Sequence, residues 1–170
     1  PNRMGFDEYL SHDNFFEMDP PLSRNGAPPE IIKGESSEIV VAEAVNFTRK
    51  VQAEGKPFFV WWNSTRMHVF THLSDEWEGK TGLGIYADGM QQHDHNVGQL
   101  LDTVDRLGIV DNTIVMYSTD NGAETFTWPD GGTTMFRGEK NTQWEGGYRV
   151  PAMIRWPGVI QPGTVINDIV

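Results

Sequence analysis

An apolar run, Thr113 to Tyr117, leads almost directly into Asp120-Asn121-Gly122, and this junction constrains the chain more than anything else in it. Such a run reads as a strand, and in open α/β sheets the crevice beyond the carboxyl ends of the strands is where loops converge and ligands bind. A carboxylate beside an amide at a strand end suits a hard cation, which prefers oxygen ligands. Farther along, Lys140 lies in a glycine-bounded loop, Gly138 to Gly147, that leads into a second apolar run from Pro151 to Trp156. Two oxygen ligands and a lone cation on neighbouring strand ends would make a site for an oxyanion. From these residues alone the plain alternative stays open, because Asp, Asn and Gly dominate ordinary turns and most lysines are solvated.

The remaining elements place that junction in an α/β fold. Residues 1 to 35 carry Pro20-Pro21, Pro28-Pro29 and many Asp, Asn and Gly residues, so they read mostly as loop with one short strand. Ser36 or Ser37 caps a predicted helix whose apolar positions Val40, Val41, Ala44, Val45 and Val51 recur at helical spacing, ending before Gly55 and Pro57. Phe58 to Trp62 is apolar on both faces, as a buried parallel strand would be. A second helix is predicted from Tyr86 to Leu107, with Gly108 at its C-terminal end, and Met153 to Trp156 makes the last strand. Alternating helices and strands imply a largely parallel sheet flanked by helices.

Composition narrows the function classes. At 170 residues, of which 38% are hydrophobic, the chain can bury one domain's core. A net charge of −11 argues against a nucleic-acid partner, which is bound through a surplus of Lys and Arg. Anionic esters are still compatible with that charge, since a bound dication together with Lys140 would reverse the local field. The absence of cysteine excludes disulfides and thiolate–metal chemistry within the segment. No apolar run approaches the roughly 18 residues of a membrane span. Oligomeric state leaves no trace in the sequence.

The string from Ser118 to Gly158, with S-T-D-N-G, then G-E-K-N-T-Q-W-E-G-G-Y-R-V-P and W-P-G, closely resembles the sulfatase family of the alkaline-phosphatase-like superfamily. Upstream, Phe58 to Asn63 followed by Arg66-Met67-His68-Val69-Phe70-Thr71-His72 is similar to the family's strand and histidine loop. Tyr86 to Leu107 is similar to one of its helices, and Gly5-Phe6-Asp7-Glu8-Tyr9 to its G-F-D-E-Y segment. The resemblance implies a partial alkaline-phosphatase-like domain over 1–170, and a sulfuric ester hydrolase acting on a sulfate-ester small molecule or a sulfated glycan. The family's nucleophile is a formylglycine made from Cys or Ser in a C/S-x-P-x-R motif. No such motif occurs here, so the nucleophile is expected upstream and the chain reads as a middle segment, inactive alone. A periplasmic or secreted location comes with the same resemblance.

Residue by residue, the resemblance implies that Asp120 and Asn121 are ligands of a divalent cation, calcium in most of the family. It makes Lys140 the contact to a sulfate oxygen, where an ammonium would offset charge developing in the transition state. His68 is implied to reach the sulfate group or the leaving oxygen, although Met67 and Val69 stand where many relatives have prolines. His72 would line the same loop. Trp128, with Trp144 and Tyr148, either stacks on a leaving group or packs against the sheet. His93-Asp94-His95 looks like a metal cluster, but adjacent helical residues point about 100° apart, so the two histidines cannot share one ion. Arg149 is expected to pin its loop. Two other readings remain: a phosphonate or phosphate ester hydrolase of the same superfamily, and a non-catalytic anion- or glycan-binding relative.

Overall fold

The computed structural model describes residues 2–12 and 18–168. The chain is α/β, and its contacts divide it into two units, Pro1–Thr103 and Val104–Val170.

The first unit begins with three short antiparallel strands: β1 (Leu10–Ser11), β2 (Pro21–Arg24) and β3 (Glu30–Ile31). Leu10 pairs with Arg24 and Pro21 with Ile31. The expectation of loop with one strand is therefore corrected, outside residues 13–17, which lie beyond the described residues. Pro21 is the first residue of the central strand β2, a position at which the missing ladder donor is tolerated.

Helix α1 (Ser36–Ala53) follows the apolar spacing, burying Val41, Ala44, Val45 and Val51. Its N-cap is Glu35 and neither of the expected serines, because the Glu35 carboxylate itself accepts from Ser37 N at 3.1 Å. At the other end Lys56 N donates to Val51 O and Gly55 N to Gln52 O, a Schellman closure with Gly55 at φ 67°. Helix α2 (Ile85–Arg106) closes in the same way through Gly108. Near its start, buried Asp88 accepts from Gly79 N, Thr81 N and Thr81 Oγ1. These bonds, the Thr81 hydroxyl first, hold its carboxyl below the usual carboxylate range.

Between the helices, a buried polar network replaces an oily contact. The Arg66 side chain is wholly buried and pairs with Glu35 Oε1 at 2.8 Å. It also donates to Gln92 Oε1 from Nε at 3.0 Å, and from Nη2 to His72 O at 2.9 Å. Gln92 Nε2 in turn donates to Glu35 Oε2 and to Glu38 Oε1. One guanidinium thus ties the start of α1, the middle of α2 and the loop carrying His68.

Phe58 to Trp62 forms no strand and no ladder among the described residues. Its exposure alternates: Phe59 and Trp61 are 72% and 67% exposed, whereas Trp62 stacks on His93 of α2 at 5.6 Å and 12°. Phe6 covers part of the outer face, 6.0 Å from Phe59 and 6.1 Å from Trp61.

The second unit holds the end of α2, strand β4 (Val115–Ser118), the short helix α3 (Glu145–Tyr148) and strand β5 (Ala152–Arg155). Both strands fall where the apolar runs predict them. Their ladder is antiparallel, running from Val115↔Arg155 to Ser118↔Ala152. The α/β class and the helices agree with the sequence reading, but every ladder among the described residues is antiparallel, so the parallel sheet is not formed by these strands. Parallel strands are ordinarily covered on both faces, whereas here Met116 and Ile154 are 60% and 46% exposed.

Replacing Arg66 by methionine in the intact protein strands Glu35 in a buried setting, and is expected to lower the unfolding free energy by about 3–5 kcal/mol. Denaturant midpoints measure this, and a change below about 1 kcal/mol would show that the network does not hold the helices.

Candidate functional site

The register of β4 and β5 decides where the loops meet. Because Ser118 pairs with Ala152, the carboxyl end of β4 lies beside the start of β5, and Ser118 Oγ also donates to Pro151 O at 3.2 Å. Asp120-Asn121-Gly122 leaves β4 at that end, and Gly138 to Tyr148 arrives there. The two segments interlock through their backbones. Gly122 N donates to Gly147 O at 2.9 Å and Lys140 N to Ala123 O at 2.8 Å. A β-carbon at Gly122 would overlap the carbonyl oxygen of Gly146, so a side chain there cannot coexist with this approach.

The Lys140 loop is folded on itself by Thr142, which accepts from Glu139 N at 3.0 Å and donates to Glu139 O at 2.7 Å. The Glu139 carboxylate accepts from Thr125 N at 2.9 Å and from Thr125 Oγ1. Lys140 Nζ meets Glu124 Oε2 at 2.8 Å, with side-chain exposures of 17% and 8%. Arg149 does pin the loop, pairing with Glu145 at 2.8 Å and lying 4.1 Å over the Phe136 ring.

Asp120 is exposed, and no hydrogen bond or ion pair engages its carboxylate among the described residues. Asn121 Nδ2 donates to Gly122 O at 2.9 Å, which leaves the amide oxygen as its acceptor. One carboxylate and one amide oxygen fit a hard cation as part of its shell, although such ions take six or more oxygens. No cluster of three or more His, Cys, Asp or Glu residues suited to a metal occurs among the described residues.

Of the aromatic candidates, Trp128 closes a turn, donating from its backbone to Glu124 O at 2.9 Å and accepting from Gly131 N at 3.0 Å. Trp144 is half exposed beneath the Arg137 guanidinium at 3.9 Å, and Tyr148 is 61% exposed. The sequence reading singled out Lys140 but missed its partner Glu124. An acidic residue four positions after Asp120 was the available signal.

His68 and His72 belong to the first unit. His68 Nδ1 lies 3.1 Å from Val69 O, and Thr71 Oγ1 donates to the His68 backbone carbonyl at 2.7 Å, so the loop engages the ring on one side and fixes the backbone that carries it. Phe70, at φ 67°, takes a left-handed conformation that is costly for an aromatic residue. His72 contributes its carbonyl to Arg66, while its side chain is on the exposed side. His93 and His95 have separate partners, Trp62 and Trp77.

Burial pushes the His93 pKa below 6.5, with Asp94 opposing and Arg66 adding to the shift. Above pH 6.5 this histidine is neutral whether folded or unfolded. As the pH falls through 6.5 the unfolded chain takes the proton first, so stability declines until folded His93 protonates as well. His93→Phe is expected to flatten that decline in denaturation midpoints measured across the range; an unchanged slope would assign it to another group.

Among the described residues, no helix is long and apolar enough to cross a membrane. Comparison with known proteins now gives the geometry a family. The sulfatase family model matches residues 1–169. N-acetylgalactosamine-6-sulfatase of Rattus norvegicus is 31% identical, over 99% of this chain and 36% of its own length. Arylsulfatase A of Bos taurus is 36% identical over 72% of this chain and 24% of its own. The crystal structure of PsFucS1 sulfatase from Pseudoalteromonas sp. superposes with a TM-score of 0.73 at 28% identity, covering 82% of this chain and 30% of that one. The chain thus spans between 24% and 36% of the length of these curated relatives. With its whole described length matched and its strand-end loops interlocked as above, the chain belongs to the sulfatase family and carries part of an alkaline-phosphatase-like fold.

Proposed function

We propose that this chain forms part of a sulfuric ester hydrolase, and that Asp120, Asn121 and Lys140 are its contribution to the sulfate site. The observation that carries the reading is the bond from Lys140 N to Ala123 O, which ties the loop bearing the ammonium to the turn bearing the two oxygen ligands. In this family a formylglycine and a divalent cation supply the nucleophile and the Lewis acid. Asp120 and Asn121 would hold the cation, for which we favour calcium because both donors are hard oxygens.

The chain's own residues then have separable tasks. The Lys140 ammonium binds sulfate oxygens and offsets the charge that grows on them as the ester bond breaks. His68, in a loop anchored by Arg66, hydrogen-bonds or protonates the departing alcohol oxygen. His72 lines the same loop, and Trp128 offers an apolar wall to the leaving group. The substrate is a sulfate-ester small molecule or a sulfated glycan. The relatives' names support that class, and we extend it to a periplasmic or secreted enzyme by the same family argument. We assign residues 1–170 to part of one sulfatase catalytic domain.

In the intact enzyme, Asp120→Ala is expected to weaken calcium binding by roughly a hundredfold, since loss of a ligand should cost at least as much as loss of a ligand's supporting group. Calorimetric titration measures this directly, and unchanged affinity would remove Asp120 from the ligand set. Lys140→Ala is expected to lower kcat on an aryl sulfate by about 10²–10³-fold with the fold intact by circular dichroism. If the same variant kept sulfate-ester turnover, the oxyanion role would be lost.

A further inference from the structure

We infer that Glu124 is a positioning residue for Lys140, holding the ammonium in one place at the Asp120-Asn121 turn; this rests on the reading of Lys140 as the sulfate contact. A lysine side chain has four rotatable bonds and strongly prefers water, so a functional ammonium needs something to fix it. Here the fixing group is identifiable. Glu124 Oε2 meets Lys140 Nζ at 2.8 Å, and both side chains are largely removed from solvent. Glu124 is itself held: Thr127 Oγ1 donates to its Oε1 at 3.0 Å, and its backbone oxygen accepts from Thr127 N at 3.2 Å and Trp128 N at 2.9 Å.

The arrangement is a double clasp. Glu124 grips Lys140, while on the adjacent residues Thr125 grips Glu139. Two neighbouring side chains of one segment therefore fix two neighbouring side chains of the other, around the backbone bond from Lys140 N to Ala123 O. A carboxylate beside an anion site would ordinarily repel the ligand. In this geometry one carboxylate oxygen is taken by the Thr127 hydroxyl and the other by the ammonium. Nζ carries three N–H groups and uses one on Glu124, so it can bridge the carboxylate and a bound oxyanion at once.

The test is a double-mutant cycle on the intact enzyme with a chromogenic aryl sulfate. Glu124→Ala removes the grip and is expected to lower kcat/KM by about a hundredfold, the scale of a misplaced catalytic group. Glu124→Gln keeps an acceptor of the same length and should recover most of that loss. In a Lys140→Ala background either change should cost less than about twofold, because a positioning residue has nothing left to position. Thr127→Val touches Glu124 but not Lys140. It serves if Glu124→Ala does not fold, with a smaller loss that again vanishes in the Lys140→Ala background. Equal losses for the Glu124 or Thr127 variants in both backgrounds, or no loss on wild-type Lys140, would overturn the inference alone. If Lys140→Ala itself left turnover unchanged, the reading beneath it would fall too.

Discussion

The first unit depends on a buried guanidinium. Arg66 has no exposed side-chain surface, and it faces Glu35, Gln92 and the carbonyl of His72. A charge in that position is tolerable only when paired and fully hydrogen-bonded. Glu35 meets the demand twice over, because its second oxygen accepts from Gln92, which also reaches Glu38. The capping of α1, the register of α2 and the conformation of the histidine loop are therefore set by a single polar knot. Apolar burial adds bulk, with Val41 and Leu22 almost wholly enclosed, but it is not directional. The knot supplies the direction.

The second unit achieves its order differently. Its two strands form a ribbon with apolar residues still open on its faces, and a two-stranded ribbon is marginal alone. What organises the loops at its end is backbone contact, closed by the Glu124–Lys140 ion pair and by the hydrogen bonds of Thr125 to Glu139 on the adjacent residues. Arg155 adds a link back to the end of α2, pairing with Asp105 at 2.5 Å.

Local signals made much of this legible. The helical spacing of Val41, Ala44 and Val45 marked α1, and Gly55 and Gly108 marked where the helices stop. The apolar runs before Asp120 and after Gly147 marked β4 and β5. Pairing was less visible. Phe58 to Trp62 looks like a buried strand because hydrophobicity reports what a segment can bury and says nothing about which neighbour is present. The cap at Glu35 escaped because serine is the commoner cap, and only the distant Gln92 and Arg66 explain why a glutamate serves better. Glu124 escaped because no motif marks it: its meaning lies in the ion pair with Lys140, which only the folded loop reveals. Asp120, Asn121 and Lys140 were singled out together by motif, whereas the interlock that joins their loops, with Lys140 N donating to Ala123 O, is visible only in the fold.

That interlock has an evolutionary consequence. Surface loops normally drift freely in length and sequence. Here residues 120–123 and 138–147 are bound to each other atom by atom, so insertions in either would break both. The stretch between them is another matter: Pro129 to Met135 is almost entirely solvent-facing, and Met135 is 94% exposed. Diversification along a lineage would accordingly concentrate on this tip, letting its contour change while the interlocked base beneath it stays fixed.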